Sequence, residues 1–190
     1  VVNPELYDKA NKKGKFIIKS GMQGIPDEDL EFKTIARYLS NALKMLNYTE
    51  AKNLKEADLI IKLSYGFGGE RVWTETVQTS VGYSFPVMNT TVYVPPEYKT
   101  VEHRNYIRLL TIDAYDKKTQ KQLWSTKCNS EGSSNDLRRV LAYMVVAAQN
   151  YLGIQTLKKE VVTVYGNDTR VLDIAVGPPN ADETQGIAHK

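Results

Sequence analysis

Cys128 is the one cysteine of the 190-residue chain, and His103 and His189 are its two histidines. A cysteine nucleophile needs a nearby base, most often histidine. His189 lies in a polar C-terminal stretch, whereas His103 sits between the Pro95-Pro96 break and the next apolar run. A Cys128–His103 pair across a sheet would be the chemistry of a small thiol hydrolase, but no third residue is indicated that would orient the imidazole. A small buried thiol at a strand end and a surface histidine account for both residues, so no catalytic residue is assigned and a non-enzymatic chain is expected. Metal chemistry fails on the same shortage, because neither HExxH nor CxxC occurs. No metal ligand and no cofactor is expected. Asp113 and Asp116 fall in a strand and its turn, where a spacing of three sends them to opposite faces and makes a poor carboxylate dyad. Gly66, Gly68 and Gly69 follow a strand without opening a helix, which suits a bulge or tight turn better than a phosphate loop.

The sharpest feature is a surface rather than a reactive group. From Thr76 to Pro96 the chain carries no charged side chain, although 25% of its residues are charged. β-Branched and aromatic residues dominate this stretch, and the odd positions from Trp73 to Phe85 make one largely apolar face of an extended strand. Trp73, Val81, Tyr83, Phe85 and Tyr93 are the candidate binding residues, as an aromatic platform for a small apolar or glycan ligand. Two fates are open to the 71–96 arm. Burying each Val, Tyr or Phe is worth roughly 1.5–3 kcal/mol, which favours an arm folded back over its own sheet. Alternatively the arm projects and pairs with a second copy or with another envelope protein.

Composition bounds the rest. A net charge of +3, with its basic pairs spread through the chain, argues against a nucleic-acid partner. The longest apolar stretch, Val140 to Ala148, is too short to span a bilayer. One cysteine excludes an internal disulfide but does not exclude the periplasm. The start at Val1 rather than Met suggests that an N-terminal segment, such as a signal, precedes this sequence. Asn47, Asn89 and Asn167 match the glycosylation acceptor pattern, which matters only in a eukaryotic secretory setting.

The elements that must position these residues read as a single α+β domain: a mixed, mainly antiparallel sheet with two helices packed on one face. Residues 1–14 read as a tether, 15–176 as the domain with its 71–96 arm, and 177–190 as a disordered tail. Lys15 to Ser20 makes a strand. After Pro26 the acids Asp27, Glu28, Asp29 and Glu31 open an amphipathic helix through Leu46, with Asp27 as its expected N-cap. Ala57 to Tyr65 is a strand, Asn105 to Tyr115 and Gln122 to Cys128 form a hairpin, and Leu137 to Leu152 is a second helix, apolar almost all round. A last hairpin is expected over 157–176, turning at Gly166-Asn167-Asp168.

Three blocks taken in order resemble a known family. These are Ala57-Asp58-Leu59 after the first helix, the run Asp116-Lys-Lys-Thr119-Gln-Lys121-Gln-Leu123-Trp124 in a hairpin, and a closing helix. Together they resemble the bacterial envelope lipoproteins of domain-of-unknown-function family 4136, over about Lys15 to Gly153. The resemblance implies a lipidated N-terminal cysteine and a periplasmic location anchored to the outer membrane, in a family with no established catalytic activity. Membrane contact is implied only through that anchor, which is not in this sequence. Two departures stand out. The 76–96 segment replaces what is often a Gly/Tyr/Trp-rich connection, and the region from Lys158 to Val176 extends past the usual end. The reading is an envelope binding or assembly module, with apolar or glycan ligand binding, or less readily a Cys-dependent hydrolase, as alternatives.

Overall fold

The computed structural model describes residues 14–154, 156 and 158–177. The 1–14 tether and the 177–190 tail therefore lie, apart from Gly14 and Gly177, outside the described residues. Among the described residues seven strands and three helices follow in the order β1 (Lys15–Ser20), α1 (Leu30–Met45), β2 (Thr49–Glu50), β3 (Leu59–Ser80), β4 (Tyr83–Val87), β5 (Thr90–Val94), β6 (Glu97–Asp116), β7 (Gln122–Gly132), α2 (Leu137–Gln149) and α3 (Thr169–Val176). The main sheet has the order β2-β1-β3-β6-β7, with β1 parallel to β2 and β3 and the other pairs antiparallel. This is the α+β, mainly antiparallel architecture expected from the sequence. Among the described residues no helix is long and apolar enough to cross a membrane.

Alternation in the strands builds one apolar face. Phe16, Leu59, Ile61, Leu63, Leu110, Ile112, Ala114 and Trp124 are buried, and they meet Phe32, Ile35, Leu39 and Leu43 of α1 and Leu141, Val145 and Ala148 of α2. Helix α1 begins where the Asp29 carboxylate accepts the Phe32 N–H at 2.8 Å. Asp29, not Asp27, is thus the N-cap, because a capping side chain must reach an amide two or three residues on. Asp27 turns back to β1 instead, accepting from Ser20 N and Lys19 Nζ, each at 2.7 Å. Partial burial opposes ionisation of Asp27, but these two donors outweigh it and hold the carboxyl below its ordinary range.

The hairpin expected over 157–176 does not form. Residues 169–176 are helix α3, with Asp168 as N-cap: its Oδ1 accepts the Arg170 N–H at 3.0 Å, and its two oxygens grip the Arg170 guanidinium. A short apolar run reads equally as strand or helical turn, and here tertiary burial decides. Ile174 is fully buried, and α3 packs on α1 and α2 rather than on the sheet. Buried Asn41 donates its side-chain amide to the Ile174 carbonyl at 2.7 Å, and Gly177 at φ 96° closes the helix against Asn41. The nearly all-round apolar character of α2 is thereby explained, since it faces sheet, α1 and α3.

β3 and β6 run out of the sheet together as a two-stranded ribbon, and no residue from Gly66 to Ile107 is buried. The single strand expected from Trp73 to Phe85 breaks at Val81-Gly82. Opposite this break Pro95 and Pro96 cannot donate to a ladder, and a Cβ on Gly82 would lie 2.8 Å from Pro96 Cδ. Beyond the break β4 and β5 form a separate hairpin closed by Met88-Asn89, with Met88 at φ 50°. The burial argument for a folded-back arm fails because α1 and α2 already fill the one apolar face of the sheet.

If α3 is an integral part of the core, Ile174→Ala should destabilise the domain by about 2–5 kcal/mol. Urea unfolding followed by circular dichroism measures this, and an unchanged midpoint would show that α3 contributes nothing to the core.

Candidate functional site

Cys128 and His103 are not brought together. Cys128 lies opposite Leu110 on β6, while His103 lies opposite Trp73 in the ribbon. Seven positions of β6 separate the two levels, roughly 23 Å at about 3.3 Å per residue. The His103 ring stacks on Trp73, with centroids 5.2 Å apart and planes 17° from parallel, and its Nε2 lies 3.1 Å from the Glu75 carboxylate. Cys128 lines a cleft of about 350 Å³ between β7, the end of α2 and residues 159–162, together with Asn129, Ala148, Tyr151 and Val161. Burial pushes its thiol pKa up, the reverse of what a nucleophile needs. Among the described residues no group of three or more His, Cys, Asp or Glu could hold a metal ion.

The blocks that carry the family resemblance meet at one corner of the sheet. Leu59 stands opposite Asp116 in the β3–β6 ladder, and the Lys117 N–H donates to the Asp58 carbonyl at 2.9 Å. The Asp58 carboxylate in turn accepts the Lys15 N–H at 3.0 Å, tying in the start of β1. The Asp116 carboxylate accepts from Thr119 N at 2.7 Å and from Thr119 Oγ1 at 2.9 Å, which closes the β6–β7 turn. Asp113 accepts from Gln122, so each of these carboxylates is engaged in holding a turn or strand end. Trp124 is 3% exposed, and its buried indole Nε1 has no hydrogen-bond partner among the described residues. The motif is architecture: it fixes the register of the central strands.

Arg108 sits at the root of the arm. It is 5% exposed, and its guanidinium donates to the Ser134 carbonyl from Nε at 3.1 Å and Nη2 at 2.6 Å. Desolvation lowers its pKa from the ordinary arginine value. The buried cation ties the loop before α2 to the strand that becomes the arm. Sequence reading passed over it, since a lone arginine in a strand ordinarily signals a solvated face. The glycines after Tyr65 mark a bulge between Phe67 and Gly69, two positions below Arg71–Asn105, where β3 and β6 run on without β7. Gly69 has φ 148°, and Leu109 packs where a Cβ on Gly68 would stand.

The candidate binding residues are divided between shaft and tip. Trp73 belongs to the shaft against His103. Tyr83 and Phe85 share one face of the tip, with ring centroids 6.0 Å apart, and Val92 and Val94 stand opposite them. Tyr93 pairs with Ser84 and therefore lies on the other face. Val81, at 74% exposure, sits in the break between shaft and tip. One continuous aromatic platform is not formed. The shaft, in contrast, is laced with charge: Arg104 bridges Glu70 at 3.4 Å and Glu102 at 3.0 Å, and Arg71 reaches Glu131 at 3.4 Å. All these pairs are well exposed and add little stability. The arm thus changes character along its length, from charged shaft to uncharged tip.

The family described as Domain of unknown function (DUF4136) matches residues 7–149, and the chain belongs to it. No curated protein and no solved structure matches the chain. The matched span contains the corner motif and the whole arm, and it ends at the last residue of α2.

Labelling measures the state of Cys128 directly. The native thiol should react with a maleimide at least about tenfold more slowly than the same thiol in urea. Fast labelling of folded protein at neutral pH would reopen the thiol reading.

Proposed function

We propose that this member of the family is a non-enzymatic binding and assembly module of the bacterial envelope, acting through its 71–96 arm. The observation that carries the reading is a ribbon, rooted in the centre of the sheet, that holds an apolar and uncharged hairpin away from the core. Val81, Tyr83, Phe85, Val87, Met88 and Tyr93 are all at least 40% exposed there. Contiguous exposed apolar surface of this kind marks interaction sites in folded proteins. From Arg71 to Ser80, beyond the last pairing of β6 with β7, the shaft extends roughly 30 Å at about 3.3 Å per residue. Beyond the span paired with β1 and β7, the shaft's two outer edges are open to strand addition by a second copy or another envelope protein. Location in the periplasm, with an outer-membrane lipid anchor upstream of this sequence, follows from the family resemblance. Fractionation of the full gene product expressed with its own leader tests it: a cytosolic protein that takes up no lipid would refute the location.

Ser80 and Glu97 face each other at the end of the shaft ladder, so Val81–Pro96 can be replaced by Asn-Gly, a two-residue turn suited to joining antiparallel strands. The shortened protein should keep its circular dichroism spectrum and melting temperature but lose assembly, seen by light scattering, or lose partners captured by cross-linking in envelope extracts. Unfolding would make the tip part of the core, and a folded protein with unchanged mass and partners would remove the arm from function.

A further inference from the structure

The tip of the arm is uncharged on every side, which is more than a protein contact requires. A partner protein covers one face or one edge of a hairpin, and the opposite side ordinarily keeps charged residues. Here the Tyr83–Phe85–Val87 face and the Ser84–Pro86–Tyr93 face are both free of charge, as are the turn and both free edges. A medium that surrounds the hairpin and penalises charge from all directions accounts for all of these together. Pro86, Pro95 and Pro96 also lack an N–H. Their absence blunts the tip against strand addition, and it leaves fewer donors to strip of water on entering an apolar phase. Met88 stands at the apex with 99% of its surface exposed, and Tyr83 and Tyr93 flank it at 57% and 63%. Tyrosine at such flanking positions suits the level of lipid headgroups, with an apolar ring and a polar end. Asn89, Thr90 and Thr91, with the open backbone edges, limit the tip to the interface and keep it from the hydrocarbon centre.

We propose that Val81–Pro96 is a lipid-surface contact, which seats Phe85, Val87 and Met88 at the interface of a phospholipid bilayer. The proposal rests on the arm being the contact organ, and it leaves the charged shaft for protein neighbours. The first charges below the tip are Glu75, Glu97 and Lys99, which form no basic cluster. Attraction to anionic lipids is therefore absent, and binding is apolar, needing neither anionic headgroups nor low salt.

The 190-residue chain itself is the material for the test, by flotation with phosphatidylcholine vesicles at low and high salt. Wild type should float under both conditions. The double variant Val87→Asp, Met88→Asp alters only exposed tip residues and should lower partitioning by about tenfold or more, with an unchanged circular dichroism spectrum. A Phe85→Trp reporter should shift its emission to the blue on adding vesicles. The inference is overturned if wild type stays with the soluble fraction, if the double variant floats equally well, or if binding demands anionic lipid and vanishes in salt. The Asn-Gly replacement separates the two readings. A change in mass or captured partners without any vesicle binding leaves the arm as a protein contact and removes the lipid; no change in either removes both.

Discussion

The antiparallel ladder between β3 and β6 is the interaction on which the rest depends. Its lower half, from Leu59–Asp116 to Phe67–Arg108, is the centre of the sheet and carries Ile61, Leu63, Leu110 and Ile112 into the core. Its upper half, continuing to Ser80–Glu97, is the shaft of the arm. An isolated two-stranded ribbon is marginally stable in water. This one persists because it continues a ladder whose other end is buried under two helices, so its register is already fixed where it emerges. The bulge at Phe67–Gly69 lies two positions below the level at which the ribbon runs on without β7, and Arg108, held by the Ser134 carbonyl, fixes that level.

Seen from this ladder, the family motif and the arm have opposite roles. Asp58, Asp116, Thr119 and Trp124 set the far end of the same two strands by closing the β6–β7 turn and joining it to the start of β1. A register slip of one residue there would turn every core side chain to the open face of the sheet. The motif therefore holds the register from which the arm emerges, and each of its carboxylates is engaged in a turn or strand end.

Strands, helices and the mainly antiparallel sheet were legible in the sequence because period-2 and period-3.6 patterns are local. Phe16-Ile17-Ile18, the Leu59-Ile61-Leu63 alternation and the apolar stripe of α1 needed no tertiary information. The misreadings fall where a local pattern admits two outcomes. Asp27 and Asp29 are equally good caps by type, and only the reach of Asp27 back to Ser20 separates them. Val171 and Ile174 suit a strand or a helical turn, and the choice was made by the space between α1 and α2 and by the Asn41 amide that closes it. Arg108 escaped notice because its partner is a backbone carbonyl, and no residue type signals that in a sequence.

The exposed arm shows a general point about burial. An apolar side chain exposed in the folded protein costs no folding free energy relative to the unfolded chain, where it is exposed as well; it only forgoes a gain. Folding alone therefore does not select against the tip, provided the remaining core suffices. What does oppose it is association in the folded state, since exposed strand edges and apolar faces invite unwanted pairing. Pro86 within the tip ladder, Pro95 and Pro96 at its base, a polar Asn-Thr-Thr turn and a charged shaft restrain that pairing without introducing charge at the tip. A charged gatekeeper would have been the simpler safeguard. That the tip is restrained by proline and a polar turn rather than by charge is the physical reason to place its working surroundings where a charge would be costly.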